Sequence, residues 1–226
     1  MRTRVPGRDA ALFICCDTTP EQWVRFLPAL TAHRENVTTA IIALYEMSGS
    51  GQLVDQGQNV ADGIEYASKL RAIGIRTTAL IAMSPSGVRA AMYNTTTGEA
   101  FIKQLVATAS STGLQGFNLD AEFATDANHT DGTQFVAFLD AMADALHSIN
   151  CTLSVDVHGD GDKPFDFHVW GPAYKASSVD KVCPCKDLYF FACARFLGRP
   201  FMIPLECDSI IVIAPALLTL RYDPYA

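Results

Sequence analysis

Short β-branched apolar runs alternate along the chain with stretches whose apolar residues recur every three or four positions. That alternation is the pattern of βα units repeated around a parallel sheet. Residues 11–16 read as a first strand, and 20–33 as a helix entered through Thr18 and Thr19 with Pro20 in its first turn. Residues 38–45 (TTAIIALY) form a second strand, followed by a Gly/Ser loop and a helix near 60–73 that Gly74 stops. A third strand over 77–83, a helix around 98–111, a fourth strand over 116–121, an amphipathic helix over 133–149 and a fifth strand over 152–157 complete the regular part.

All five strands are apolar on both parities, as expected where helices cover the sheet. An open doubly wound sheet and a closed (β/α)8 barrel both satisfy this, but no glycine-rich nucleotide fingerprint follows the first strand, so the barrel leads. Beyond about Asp180 the pattern degrades to one strand near 181–189, then to apolar sequence without a helical period. Eight βα units usually take about 250 residues, and this chain has 226. The expected fold is therefore α/β, a TIM-type (β/α)8 barrel that is incomplete, with about six readable units over residues 9–190. An atypical tail follows over 191–226, in which strands seven and eight are absent or replaced, as by truncation at the C terminus.

Composition narrows the function classes. Seventeen basic against 24 acidic residues leave a formal charge of −7, the wrong sign for a surface that tracks phosphate backbones, so nucleic acid is not an expected partner. The most apolar stretch, residues 201–220, is broken by Glu206 and Asp208, so no membrane span is expected. The seven cysteines, with Cys15 and Cys16 adjacent and Cys183 and Cys185 one residue apart, match neither a regular disulfide framework nor paired zinc-ligand spacing. Four of the six asparagines, Asn36, Asn94, Asn128 and Asn150, begin N-x-Ser/Thr sequons. They point to a secreted, lysosomal or endomembrane glycoprotein, although the basic N-terminal segment lacks a clear signal peptide. Oligomeric state is not legible.

The chemistry concentrates in LQGFNLDAEF. Asn118, Asp120 and Glu122 stand two apart, so a strand places all three on one face, which in a barrel is the lumen. The alternative is a strand-to-helix turn with a capping Asp. Carboxylates at i and i+2 lie about 6 to 7 Å apart at their backbones, and in a partly dry cleft such a pair retains a proton to higher pH than usual. A general acid for glycosidic cleavage needs that property. Glu122, nearer the mouth and longer, is the candidate acid, and Asp120 the partner that tunes it.

The stretch Gly116-Phe117-Asn118-Leu119-Asp120-Ala121-Glu122 resembles the strand-four signature D-G-x-D-x-D-x-E of glycoside hydrolase family 18, the chitinases and chitobiases. Gly116, Asp120 and Glu122 match; Gln115 and Asn118 stand where the first and second Asp are usual. An Asn at the second position is similar to the G-I-N-I-D-I-E form of the di-N-acetylchitobiase branch. The resemblance implies substrate-assisted, retaining hydrolysis of β-linked N-acetylglucosamine oligosaccharides in a (β/α)8 barrel, with no metal and no cofactor. Glu122 would protonate the leaving oxygen and later activate water, Asp120 would orient the 2-acetamido group, and Asn118 would tune Asp120 by a hydrogen bond.

The resemblance also implies substrate contacts from Asp156 at the end of the fifth strand and from Asp187 and Tyr189 near the sixth. A polar loop entry for Asp156 and a core role for Tyr189 stand beside those readings. Tyr45 and Glu46 after the second strand, and Met83 with Ser84 after the third, are further candidates for the mouth, and Trp170 for stacking on a sugar. Asp156, His158, Asp160 and Asp162 alternate like metal ligands, but Gly159 and Gly161 make the segment a turn without calcium-loop spacing. The competing functional reading is a non-catalytic or inactive truncated carbohydrate-binding relative.

Overall fold

The computed structural model describes residues 9–14, 20–32, 34, 37–56, 60–121, 129–158, 178, 180–185 and 209–213. In chain order these form β1 (Asp9–Ile14), α1 (Pro20–Ala32), β2 (Thr39–Met47), β3 (Leu53–Asp55), α2 (Val60–Ala72), β4 (Arg76–Met83) and α3 (Pro85–Tyr93). They continue with α4 (Thr95–Thr112), β5 (Gly116–Asp120), α5 (His129–His147), β6 (Thr152–His158), β7 (Lys181–Cys185) and β8 (Ser209–Ile213). The expected strands two to six are β2, β4, β5, β6 and β7, with the short β3 intervening.

The sheet order is β7-β6-β5-β4-β2-β1-β8, with β3 pairing antiparallel to β2. All other pairings are parallel. Strands that follow one another without reversal, joined by right-handed crossovers, put every connecting helix on the same side, and such a sheet curls towards a barrel. A doubly wound sheet would reverse its order at a switch point; this one does not. The fold is an incomplete TIM-type barrel, and among the described residues the path ends at β7 and β8. Segment 209–213, within the tail where no regular strand was expected, lies parallel to β1, on the side where a barrel of this order closes.

One apolar core lies between the sheet and the helices. It joins Leu12, Ile42, Ile81, Phe117, Leu119, Leu153 and Val155 of the strands to Trp23, Leu70, Phe101, Leu105, Phe135 and Leu139 of the helices, all buried. Burying each such side chain contributes about 1.5–3 kcal/mol, so this layer fixes which strand face points away from the helices. Local stops hold the units in place. Gly74 and Gly113 adopt positive φ after α2 and α4, a conformation that favours glycine. Ser84 caps α3 by accepting from the Gly87 amide at 3.0 Å, and Asn94 both ends α3 and caps α4 through the Thr97 amide.

Candidate active site

β5 sits between β4 and β6, and its alternation divides its side chains cleanly. Phe117 and Leu119 belong to the helix-facing core, so Asn118 and Asp120 face the opposite, lumenal side. Gly116 opens the strand where the backbones of β5 and β6 run close: a Cβ there would collide with the Thr152 backbone and hydroxyl.

Parallel register carries this face across the sheet. Glu46 of β2 aligns with Ala82 of β4, Ala82 with Asp120, Asp120 with Asp156 of β6, and Asp156 with Cys183 of β7. The layer below holds Leu80, Asn118, Ser154 and Lys181. Three carboxylate positions therefore share one row towards the C-terminal ends of the strands, the end at which barrel chemistry collects. Asp156 is only 2% exposed. The fully buried Asn118 amide supports it: Nδ2 donates to Asp156 Oδ1 at 3.2 Å and to Ser154 Oγ at 2.9 Å. Such a bond offsets part of the cost of taking a carboxylate out of water. Asn118 Oδ1 is also buried and has no hydrogen-bond partner among the described residues.

Asn118 thus bonds a carboxylate across the strands, to Asp156. The sequence expectation paired it along the strand with Asp120. Tyr45 does not reach the mouth. The β2–β4 register shifts between Ala43 and Tyr45, and this bulge turns both Leu44 and Tyr45 towards the helix-facing core, where they are 3% and 5% exposed. Burial, with a smaller contribution from the Asp55 charge, pushes the Tyr45 hydroxyl pKa up to about 12. The same bulge brings the exposed Glu46 into the carboxylate row. Met83 packs in the core, and Ser84 is engaged in capping α3.

Glu122, Asp160, Asp162, Trp170, Asp187 and Tyr189 lie outside the described residues. His158 occupies the β6 position two beyond Asp156, in register with Cys185. Among the described residues no group of His, Cys, Asp and Glu side chains is arranged to hold a metal ion, and no helix is long and apolar enough to cross a membrane. An apolar groove of about 580 Å³, lined by Trp23, Val24, Leu27, Tyr66 and Lys69, lies between α1 and α2 in the helix layer, on the opposite side of the sheet from the carboxylates.

No protein-family model matches the chain, and no curated protein matches its sequence. Solved structures do match by fold. A class V chitinase from Pseudomonas fluorescens superposes with a TM-score of 0.57 at 20% identity, over 76% of this chain and 52% of that one. The spore cortex-lytic enzyme SleL from Bacillus cereus gives 0.59 at 18%, over 77% and 40%. The class V chitinase of Nicotiana tobaccum gives 0.55 at 15%, over 70% and 47%, and a point mutant of it has been solved in complex with NAG4. The chain spans about half the length of these structures and has their chitinase-like fold, that of glycoside hydrolase family 18.

Proposed function

We propose that this chitinase-like barrel is a glycosidase that hydrolyses β-linked N-acetylglucosamine oligosaccharides with the help of the substrate's own acetamido group. The observation that carries the reading is the position of Asp120: at the C-terminal end of β5, on the face turned away from the helices, beside a second carboxylate on β6. Glu122, two residues further on, is the proton donor to the bridging oxygen and later the base that activates water. Asp120 orients the 2-acetamido group, whose carbonyl oxygen attacks the anomeric carbon, and steadies the positive charge of the oxazolinium-like intermediate. The nucleophile comes from the sugar, so the two carboxyl groups need not keep the separation of a two-acid glycosidase. Glu46, Asp187, Tyr189 and Trp170 are the further candidates for sugar contact.

The required chemistry gives the test. Hydrolysis of a chromogenic chito-oligosaccharide is expected, with the β-anomer formed first by proton NMR, and a matched oligosaccharide bearing 2-hydroxyl groups is expected to stay intact. Cleavage of both at similar rates would overturn the substrate-assisted mechanism. A second reading, a non-catalytic carbohydrate-binding relative, is favoured by Gln115 and Asn118, which stand where the signature usually carries Asp. Saccharide binding without turnover would establish it. The exposed sequon residues Asn94 and Asn150 support a secretory location, in which both carry N-linked glycans.

A further inference from the structure

Strict alternation from Ala43, which aligns with the lumenal Leu80, would put Tyr45 on the lumenal face of β2 and Glu46 in the core. The register shift between Ala43 and Tyr45 reverses this, and bulges beside active sites re-aim side chains in this way. Glu46 then aligns with Val54 of β3 on one side and Ala82 of β4 on the other. Glu46 is exposed, while Val54 and Ala82 are half-buried. Lys69, Arg89 and Lys103 pair with acids elsewhere, and Glu46 has no ion pair or side-chain hydrogen bond among the described residues. Ala82 separates it from Asp120 by two strand spacings, about 10 Å at the backbone, and a methyl group fills little of that gap. An apolar bed with one charge at its edge is a lining that holds a small ligand by shape and orients it by a polar group.

We infer that Glu46 is a specificity residue that pairs with the free 2-ammonium group of a deacetylated sugar ring, so that partly deacetylated chito-oligosaccharides are preferred to fully acetylated ones. The inference rests on the function proposed above. Asp120 holds the acetamide of the ring that is cleaved, and Glu46, two strands away, meets a different ring of the same oligosaccharide. A sugar hydroxyl also bonds a carboxylate but leaves its charge uncompensated, whereas an ammonium group supplies both the donor and the charge. A ring that carries a carboxylate is repelled. Because Glu46 is exposed, the pair is expected to change affinity by about two- to fivefold, and salt is expected to screen it.

Chitotetraose and its four derivatives that carry one free amine each test this at about pH 6, above the ordinary glutamate range and below that of an amine. The quantity read is the ratio between derivative and parent within one protein, in kcat/KM where it turns over and in Kd where it does not. At least one derivative is expected to be favoured about two- to fivefold by the wild-type chain, and the preference is expected to shrink in about 1 M salt. Glu46→Gln is expected to abolish the preference and Glu46→Lys to reverse it. Should a variant fail to fold, the wild-type preference and its salt dependence still decide. No preference for any amine in the wild type, a preference that salt leaves unchanged, or one that survives in Glu46→Gln would overturn the inference. Preferential binding that Glu46→Gln removes, in a protein that turns nothing over, keeps the assignment and removes the hydrolase. Hydrolysis of chitotetraose without preference for an amine does the opposite, and binding of none of these sugars overturns both.

Discussion

Replacing Asn118 by Asp turns the donor of the buried pair into a second acceptor. In the native chain Nδ2 lies 3.2 Å from Asp156 Oδ1. A carboxylate oxygen at that separation from a carboxylate repels it by about 5 kcal/mol at an effective dielectric constant of about 20, an upper bound because the side chains can separate. At 1.36 kcal/mol for each unit of pKa, that repulsion holds the introduced carboxyl protonated up to about pH 7 to 8. The sign follows from linkage. The folded pKa is raised above the unfolded value of about 3.9, so the variant keeps its stability below about pH 4 and loses it as the pH rises towards the folded pKa. A protonated carboxyl still offers one donor to Asp156 but none to Ser154, so the low-pH cost is about 1 kcal/mol. Urea unfolding of Asn118→Asp against wild type at pH 4, 6 and 8 is expected to show a destabilisation that grows by about 3–5 kcal/mol across the series. A destabilisation equal at all three pH values would refute the buried-pair reasoning.

Two predictions concern the scaffold. Leu105, fully buried in the α4 face that packs on the sheet, is expected to cost about 2–5 kcal/mol on truncation to Ala, read as a lowered urea midpoint with the transition slope unchanged. Ultraviolet titration at 295 nm is expected to show one tyrosine, absent in Tyr45→Phe, that ionises only near pH 12. Because its folded pKa lies above the unfolded value of about 10, the stability tied to its neutral form is present below about pH 10 and lost as the pH climbs from there towards 12.

Much of the architecture was legible because core strands and covering helices carry strong, separable periodicities. The β-branched runs at Ile41–Ile42 and Thr77–Thr78 and the two-residue alternation of Asn118 and Asp120 each fall in the expected strand. Other elements left too little pattern. β3 is three residues long and is held by pairing with β2, which no local period announces. Helix α3 begins Pro85-Ser86-Gly87, which reads as a turn, yet Ser84 is a cap and Pro85 a first-turn proline. β8 follows apolar sequence without a helical period, and its place is set by β1.

At the site, parity in the sequence placed Asn118 and Asp120 together, but it carried two errors of reach. The bulge at Leu44 exchanges the faces of Tyr45 and Glu46, and bulges depend on the neighbouring strand. The partner of Asn118 lies 38 residues away in sequence, across a register that only the folded sheet defines. Both residues were already candidates in the sequence, Glu46 directly after Tyr45 and Asp156 at the end of the fifth strand.

Substitution of Glu122 by Gln tests the proposed chemistry most directly, since it removes the transferable proton and preserves size. Turnover of a chromogenic chito-oligosaccharide is predicted to fall by about 10²–10⁴-fold, while affinity for the unlabelled oligosaccharide, measured by calorimetry, stays within a few-fold of wild type. Undiminished turnover in Glu122→Gln would contradict the account.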